Sequence, residues 1–526
     1  MAEYLAPGVY VEEVSLGAKP IEGVSTSTAA FLGVLERGPA EPRLVTALTE
    51  FHRLYGGFRS GSYLPYAIDG FFANGGKRCF IGRVCGKNNR HSRLEIAAVK
   101  AGGDGDGGGG GAAEQAALEA IAVGPGEWGN RVAVKVEDAS MSTDAKRLFK
   151  MTVIYWSGQR PEPMVDPTDP STRRDPNRRE PAVVEVYDNL SSDPSSSDYY
   201  EKQINNVSAL IEVARVSDGD PSSLALALME GGSDGQTVKL TDYQGDPAAG
   251  PGDRTGLAAL GEISEISIVC VPDENDVDGL ANALVAHCER EGDRFAVLQT
   301  AQSAGPIGDL RPVLDSKYAA VYYPWIRVMD PVTHRPKLVP PGGHITGIYA
   351  RSDTERGVHK APANEAVRGA MGLQFQLTKG DQAILNPRGV NCIRSFPGRG
   401  IRIWGARTVS SDPEWKYVNV RRLFLYLESS IEAGTQWVVF EPNNHRLWAR
   451  VRQSVTDFLT RVWRDGALMG VTAEQAFFVK CDETTMTQND IENGRLVILV
   501  GVAPTRPAEF VIFRISQWQS ASEVTE

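Results

Sequence analysis

Hydrophobic residues recur along this chain with two periods, near 2 and near 3.6, and the switches between them mark out its elements. At the start, Val9-Tyr10-Val11-Glu12-Glu13-Val14 alternates apolar and polar positions, as a short strand with one buried face does. Residues 15–27 are rich in Gly, Pro, Ser and Thr, which suits an extended linker, so this strand sits on a tether. Residues 29–34 (AAFLGV) read as a buried strand. Residues 44–55 carry helical spacing through Leu44, Leu48, Phe51 and Tyr55, and a second helix over 64–72 stops at Asn74-Gly75-Gly76. CFIGRVCG from Cys79 is the next strand, which closes a β-α-α-β unit.

The texture then changes. Residues 102–111 are almost all glycine, and residues 161–181 mix proline with charge of both signs, a composition that predicts flexible loops. Strand-like pieces at 131–136, 151–156 and 182–187 lie between them and predict a β-rich insertion on an exposed surface. Regular α/β texture returns with SIVCV at 267–271, a helix through Leu280, Leu284 and His287, and strands at 295–298 and 319–323, so a mostly parallel sheet is expected. In the last third, Val420, Leu423, Phe424, Leu427 and Ile431 form one helical face closed by Gly434. A second helix, capped near Asn443 or Asn444 and stopped at Gly466, aligns Leu447, Trp448, Val451, Val455, Phe458, Leu459, Val462 and Trp463. Strand runs at 477–479, 496–500 and 509–515 (Glu509, Phe510, Val511, Ile512, Phe513, Arg514, Ile515) close the chain.

At 526 residues the chain is too long for one core and predicts several domains. Hydrophobic residues at 42% and charged residues at 23% are the proportions of a folded protein, and a net charge of -11 argues against a nucleic-acid coat or a polybasic membrane binder. No run approaches the ~20 apolar residues that span a bilayer, and the first residues lack a signal-peptide pattern, so synthesis in the cytoplasm is expected. The six cysteines are scattered and read as reduced.

Candidate chemistry is sparse. Gly231 to Gly235 spells G-x-S-x-G, but a nucleophile elbow needs a following helix, and QTVKLTDY looks strand-like, so a tight turn at Ser233 is the better reading. The seven histidines show no metal-ligand spacing, and no metal, cofactor or catalytic residue is expected. The densest polar stretch runs through Arg351, Asp353, Glu355, Arg356, His359, Lys360, Asn364 and Glu365. A hydrolase reading would make His359 or Glu365 a general base; a cluster at a domain junction or subunit contact (Asp353, Arg356, His359, Lys360, Asn364) fits better, since no nucleophile or oxyanion device accompanies it.

Several strings together resemble the tail sheath proteins of contractile bacteriophages and extracellular contractile injection systems. They are LAPGVYVEE from Leu5, GVHKAPANE from Gly357, LNPRGVNCIRSFPGRGIRIWGART from Leu385, YVNVRRLFLYLESSI from Tyr417, VFEPNNHRLW from Val439 and VGVAPTRPAEFVIFRISQ from Val500. The similarity is dense over 1–85 and 345–526, weaker over 235–345 and absent from the insertion. It implies a mixed α/β, multidomain structural protein and not an enzyme. The expected parts are an N-terminal strand and linker (1–28), an α/β middle domain (29–90 and 236–350), a β-rich outer insertion (91–235) and a sheath core domain (351–526). The resemblance further implies a homo-oligomer of stacked hexameric rings around an inner tube, with a baseplate and a terminator cap. It implies no direct nucleic-acid contact, and a membrane only through the target envelope. The strands at Val9 to Val14 and Glu509 to Ile515 would then complete sheets in neighbouring subunits, and the helix from Asn443 to Asp465, or its flanking loops, would face the tube. A non-contractile filament protein remains the other structural alternative.

Overall fold

A strand covered on both faces has no use for alternation, and β1 (Ala29–Gly33, AAFLG) is buried at all five positions. Around it the computed structural model, which describes residues 20–99, 115–143 and 147–514, builds two compact units. The larger takes residues 24–355 and 362–416; the smaller takes residues 20–23, 356–361 and 417–514 of the described chain. The predicted strand at Val9 to Val14, the glycine tract at 102–111 and Ile515 lie outside the described residues.

In the larger unit, β1 is followed by β2 (Arg43–Val45), α1 (Leu48–Tyr55), α2 (Leu64–Ala73) and β3 (Cys79–Arg83). Leu44 belongs to β2, pairing with Phe80, so the helical spacing read from Leu44 starts only at Leu48: a three-residue edge strand is too short to show its own period.

Between β3 and the rest of the main sheet lie β4 (Arg93–Ala97), β5 (Ala116–Ala122), β6 (Val132–Asp138), β7 (Phe149–Tyr155), β8 (Val183–Leu190), α3 (Tyr200–Ile204), β9 (Ile211–Arg215) and β10 (Leu224–Leu228). They form two antiparallel sheets, β4-β5-β9 and β10-β6-β7-β8, over a shared core that includes Trp128, Val134, Met151, Tyr155 and Ile211. The proline-rich segment 161–181, expected to be a flexible loop, is tied down instead. Asp166 pairs with Lys135 at 2.9 Å, Met164 packs on the Ala133, Ile154 and Trp156 cluster, and the Trp156 indole donates to the Arg179 carbonyl at 3.1 Å. A few anchors suffice where proline has already restricted the backbone.

The main sheet resumes after α4 (Leu240–Gln244) and α5 (Gly256–Leu260) with β11 (Ile268–Cys270), α6 (Leu280–Glu291), β12 (Phe295–Gln299) and β13 (Ala319–Tyr323). A small sheet of β14 (Ile326–Met329), β15 (Pro336–Val339) and β16 (Gly372–Leu373) brackets α7 (Gly342–Arg356) in sequence; α8 (Lys379–Leu385), β17 (Val390–Phe396) and β18 (Gly400–Ile403) complete the unit. Eight strands run in the order β18-β17-β13-β12-β11-β1-β3-β2; the neighbours from β17 to β3 are parallel and the two outermost pairs are antiparallel. Residues 362–416, grouped by sequence with the last third, pack here because β17 joins the sheet at β13 (Val321 opposite Val390).

Helices α2 and α7 meet at backbone distance. A Cβ at Gly343 would lie 2.3 Å from the Ala67 Cα, and one at Gly347 2.4 Å from the Phe71 carbonyl. That closeness is why α7 has buried residues through its first eleven positions yet no apolar stripe in sequence.

The smaller unit pairs α9 (Val418–Thr435) and α10 (His445–Arg464) with a two-stranded ladder, β19 (Phe477–Lys480) and β20 (Leu499–Val502). Asn444 caps α10 by accepting from the Arg446 and Leu447 amides, both at 3.1 Å. The stripe Leu447, Trp448, Val451, Val455, Phe458, Leu459, Val462 packs with Leu423, Leu427 and Ile21. Ile21 is fully buried against Gly434, where a Cβ would approach to 2.6 Å, and the Arg461 guanidinium donates to the Ile21 carbonyl.

Candidate assembly interface

Two strands with a hydrophobic face are too few to be stable alone, and β19–β20 is held by the core on one side only. The register places Phe477 opposite Val502, Phe478 opposite Gly501, Val479 opposite Val500 and Lys480 opposite Leu499. Phe477 turns into the core, whereas Phe478, Lys480 and Leu499 are exposed. The Phe478 ring lies across Gly501, where a Cβ would stand 2.2 Å from the ring. Among the described residues no third strand joins this ladder, so both of its edges are open.

The chain leaves β20 by folding back on the same unit: Met469 donates to the Ala503 carbonyl at 2.8 Å, Thr505 to the Ala467 carbonyl at 3.0 Å, and Asn419 to the Thr505 carbonyl at 3.2 Å. Tyr417 donates to the Glu509 carboxylate at 3.2 Å. After that, Phe510, Val511, Ile512 and Phe513 are 72%, 69%, 79% and 83% exposed, and Arg514 is exposed as well. The strand expected from Glu509 to Arg514 is therefore not a strand in the single chain. Its composition is that of a strand, but it has no ladder partner among the described residues. Burying four such side chains is worth ~1.5–3 kcal/mol each. The second predicted strand, 496–500, is displaced to Leu499–Val502 because the antiparallel register with β19 selects those residues.

The outward face of α10 carries Arg446, Arg450, Arg452, Arg461 and Arg464, all exposed, against one exposed carboxylate within the helix, Asp457. The Arg450 guanidinium stacks over the Trp437 ring at 4.6 Å, and the Trp448 indole donates to Asn443 at 2.7 Å, which fixes the helix start.

The polar stretch 351–365 divides between the units. Asp353 is half-buried on the penultimate turn of α7, and Arg356 is exposed at its end. In the larger unit, Arg351 is buried, donates to the Asn74 and Ala366 carbonyls at 3.1 and 3.0 Å, and pairs with Glu365 at 3.5 Å; burial, with Arg368 nearby, lowers its pKa. Asn364 adopts φ +59 and accepts from Arg399 at 2.8 Å, while its carbonyl accepts from Arg402 at 2.7 Å. In the smaller unit, the His359 carbonyl accepts from Asn419 at 2.7 Å, and the Lys360 amide donates to the Gly357 carbonyl at 3.2 Å. Arg351 and Asn364 thus tie backbone within the larger unit, and the backbone of His359 and Lys360 is held within the smaller one. Ser233, expected in a tight turn, forms an isolated antiparallel bridge with Arg90, and its hydroxyl accepts from the Gly235 amide at 3.2 Å. The strand expected at 236–243 is instead irregular backbone and α4: Asp242, three residues on, accepts from the Lys239 amide at 2.8 Å, a cap that outweighs β-propensity. Among the described residues no group of three His, Cys, Asp or Glu side chains is placed to hold a metal ion, and no helix is long and apolar enough to cross a membrane.

Residues 242–409 match the phage tail sheath protein central domain, and residues 410–517 match the phage tail sheath C-terminal domain, together more than half of the chain. The chain belongs to the phage tail sheath family. Among its relatives, the tail sheath protein of Burkholderia phage BcepMu is 27% identical over 305 residues, covering 53% of this chain and 62% of that one. A putative prophage major tail sheath protein of Pseudomonas aeruginosa is 25% identical over 212 residues, covering 39% and 53%. This sheath-family chain therefore matches less than two thirds of the length of either relative. Its fold is that of solved sheaths across nearly the whole chain. The PVC sheath complex of an extracellular contractile injection system in the contracted state superposes with a TM-score of 0.58 at 21% identity, covering 98% of this chain and 99% of that one. The helical sheath of the anti-feeding prophage in its contracted state gives 0.57 at 23% identity, covering 98% and 100%.

What sequence reasoning missed at this interface is the acceptor. The runs at Val9 to Val14 and Glu509 to Ile515 have the composition of strands, but β19 and β20 are separated by 18 residues, and neither run by itself shows that it pairs with the other. The available signal was an aromatic residue in one short run, Phe478, and a glycine in the other, Gly501, the pairing by which an aromatic ring covers a strand glycine.

Proposed function

We propose that this chain is the structural subunit of a contractile sheath, polymerising as stacked sixfold rings around an inner tube and shortening to drive that tube through a target envelope. The observation that carries the reading is the pairing of an acceptor with a donor: an open-edged ladder at β19–β20, and an apolar terminal segment at Phe510 to Phe513 that its own subunit leaves exposed. Strand addition between copies satisfies both, main-chain hydrogen bonds giving affinity and alternate side chains giving register. Val9 to Val14, whose sequence alternates as a strand's does, is the second donor in this reading, matched to the second edge of the ladder. Such contacts are heterologous and propagate without closing, as a filament requires.

Contraction needs two packings of one subunit, joined by linkers that survive the change. Ser15 to Ser27 and Ala503 to Pro507, which the sequence marks as linkers, lead to the two donor segments, and each is anchored to its own subunit, at Ile21 and at Ala503 and Thr505. Even a few kcal/mol gained per subunit, well within the ~5–15 kcal/mol scale of domain stability, sums over a long polymer to far more than thermal energy. The arginine face of α10 fits an acidic inner tube, and a baseplate and a cap bound the polymer at its ends.

The test is negative-stain microscopy of the full chain, alone and with its inner tube protein, beside a variant lacking residues 1–15 and a Phe510→Asp/Ile512→Asp variant. Helical tubes from the full chain and folded monomers from both variants, with unchanged circular dichroism, are expected. Tubes from both variants would remove strand exchange, and no polymer from the full chain under either condition would remove the sheath reading.

A further inference from the structure

Just past the end of β11, Glu274 turns back into the larger unit. It is 3% exposed, and no lysine, arginine or histidine among the described residues is paired with it. One of its oxygens is in use: Oε1 accepts from the backbone amide of Gln299, the last residue of β12, at 2.7 Å. The other, Oε2, is buried without a partner. Gln299 is as deeply buried and has a deficit of its own. Its side-chain nitrogen donates to the Val271 and Pro272 carbonyls at 3.1 and 3.4 Å, which fixes the amide's orientation and leaves Oε1 buried with no donor. That oxygen lies against the first residue of α7, where a Cβ on Gly342 would stand 2.2 Å from it.

An ionised carboxylate here would meet one amide and no counter-ion, and a buried charge left unpaired costs far more than a neutral, hydrogen-bonded acid. The surrounding groups supply no cation. Cys270 on β11 is a thiol that burial keeps protonated, and Thr346 on α7 donates to the Gly342 carbonyl at 2.9 Å. Asn275 donates to the Gln299 carbonyl at 3.1 Å, while Asp273, the neighbouring acid, is bonded to Ser62 and to the Tyr63 amide. Burial pushes the Glu274 carboxyl well above the ordinary carboxylate range. A neutral carboxyl has one O–H to give, and the Gln299 side-chain oxygen is an acceptor that lacks one. We propose that Glu274 is a proton-holding latch: its Oε2–H donates to Gln299 Oε1 and fastens the ends of β11 and β12 together beside the start of α7. A carboxyl raised on folding contributes stability that is full below its ordinary value of 4.5 and lost as pH rises through the raised value. The latch is therefore closed at neutrality and opens in alkali. It opens locally, because Glu274 stands on the loop after β11 and can be hydrated without dissolving the sheet. The device belongs to the single chain and holds whether or not the sheath reading does.

Infrared spectroscopy of the full chain at pH 8, where Asp273 is ionised, reads the proton directly. The carbonyl band of a protonated carboxylic acid is expected in the wild type and in Asp273→Asn, and is expected to be missing from Glu274→Gln. A wild type without the band, or a Glu274→Gln chain that keeps it, overturns the proposal. Hydrogen exchange followed by mass spectrometry reads the latch. Corrected for the intrinsic pH dependence of exchange, protection over residues 295–300 should fall at least tenfold between pH 7 and pH 10 in the wild type. Glu274→Gln should keep that protection, since its amide can donate to Gln299 as the acid does. Equal loss in both chains, or none in the wild type, sinks the latch. If Glu274→Gln does not fold, the wild type alone decides: band and protection lost over the same pH range support the assignment, and a band that outlasts the protection refutes it.

Discussion

Phe478 and Gly501 face each other across β19–β20 because the ring needs the space a side chain would fill. Gly501→Val places carbons where the exposed Phe478 ring now lies and should displace that ring into solvent, with less than about 1 kcal/mol change in the denaturant midpoint. Two buried titratable residues of the larger unit pull its stability in opposite directions. His344 is fully enclosed against Gly70, and desolvation holds its imidazole down at about 4. A depressed histidine contributes stability that is present above the ordinary value of 6.5 and lost as pH falls through about 4, roughly 3 kcal/mol in all. Asp273 accepts from Ser62 and from the Tyr63 amide at the start of α2, and burial pushes its carboxyl up to about 6. A raised carboxylate contributes stability that is full below the ordinary value of 3.8 and lost as pH rises through about 6, again roughly 3 kcal/mol. Urea titrations from pH 4 to 8 should show His344→Leu with a shallower acid-side decline and Asp273→Asn with a shallower decline toward neutrality, the buried His287 and Glu274 keeping the remainder of each. Unaltered profiles in both would mean that neither group titrates as its burial requires.

At the scale of elements, α10 is the frame on which the smaller unit and its cationic face are mounted. Asn444→Ala removes the acceptor for two amides and should cost about 1 kcal/mol, visible as a lowered thermal midpoint without loss of helix content at 20 °C. The α2–α7 contact is less forgiving. Gly343→Leu forces two backbones apart where a Cβ already meets Ala67 at 2.3 Å, and soluble expression of that variant should collapse. Recovery of folded Gly343→Leu protein at wild-type yield would show that the helices have room to separate.

For the molecule as a whole, two compact units predict two calorimetric transitions, with Asn444→Ala moving one of them and His344→Leu the other. A single transition shifted equally by both would show that the units unfold as one. If the arginine face of α10 meets an acidic inner tube, as proposed, tube retention weakens steeply as salt rises from about 0.1 M to 1 M, where the screening length falls from roughly 10 to 3 Å. Sheath–sheath joints made by main-chain pairing should tolerate that change.

Helix α10 was legible in the sequence almost residue by residue, because a long apolar stripe closed by Asn444 and Gly466 leaves one register. Helix α9 was less so: it runs through the expected stop at Gly434 to Thr435, because that glycine makes room for Ile21, and Phe424 and Ile431 are only half-buried. So were the buried strands at 29–33, 295–299 and 319–323, where a short apolar run between turn residues has few other uses. Helix α7 hid its packing because its contact surface is made of glycine, which carries no hydrophobic signal. The ordering of 161–181 depended on Lys135 and Trp156, distant in sequence, and the membership of 362–416 in the larger unit depended on β13. Phe440 read as one more apolar residue until its backbone angle and exposure were known. Periodicity, composition and local caps belong to the sequence by itself, since each is a property of neighbours along the chain. Which strand edges stay open, which helices touch and which side chain is left strained in solvent were decided only in three dimensions, because each depends on what comes to lie beside it.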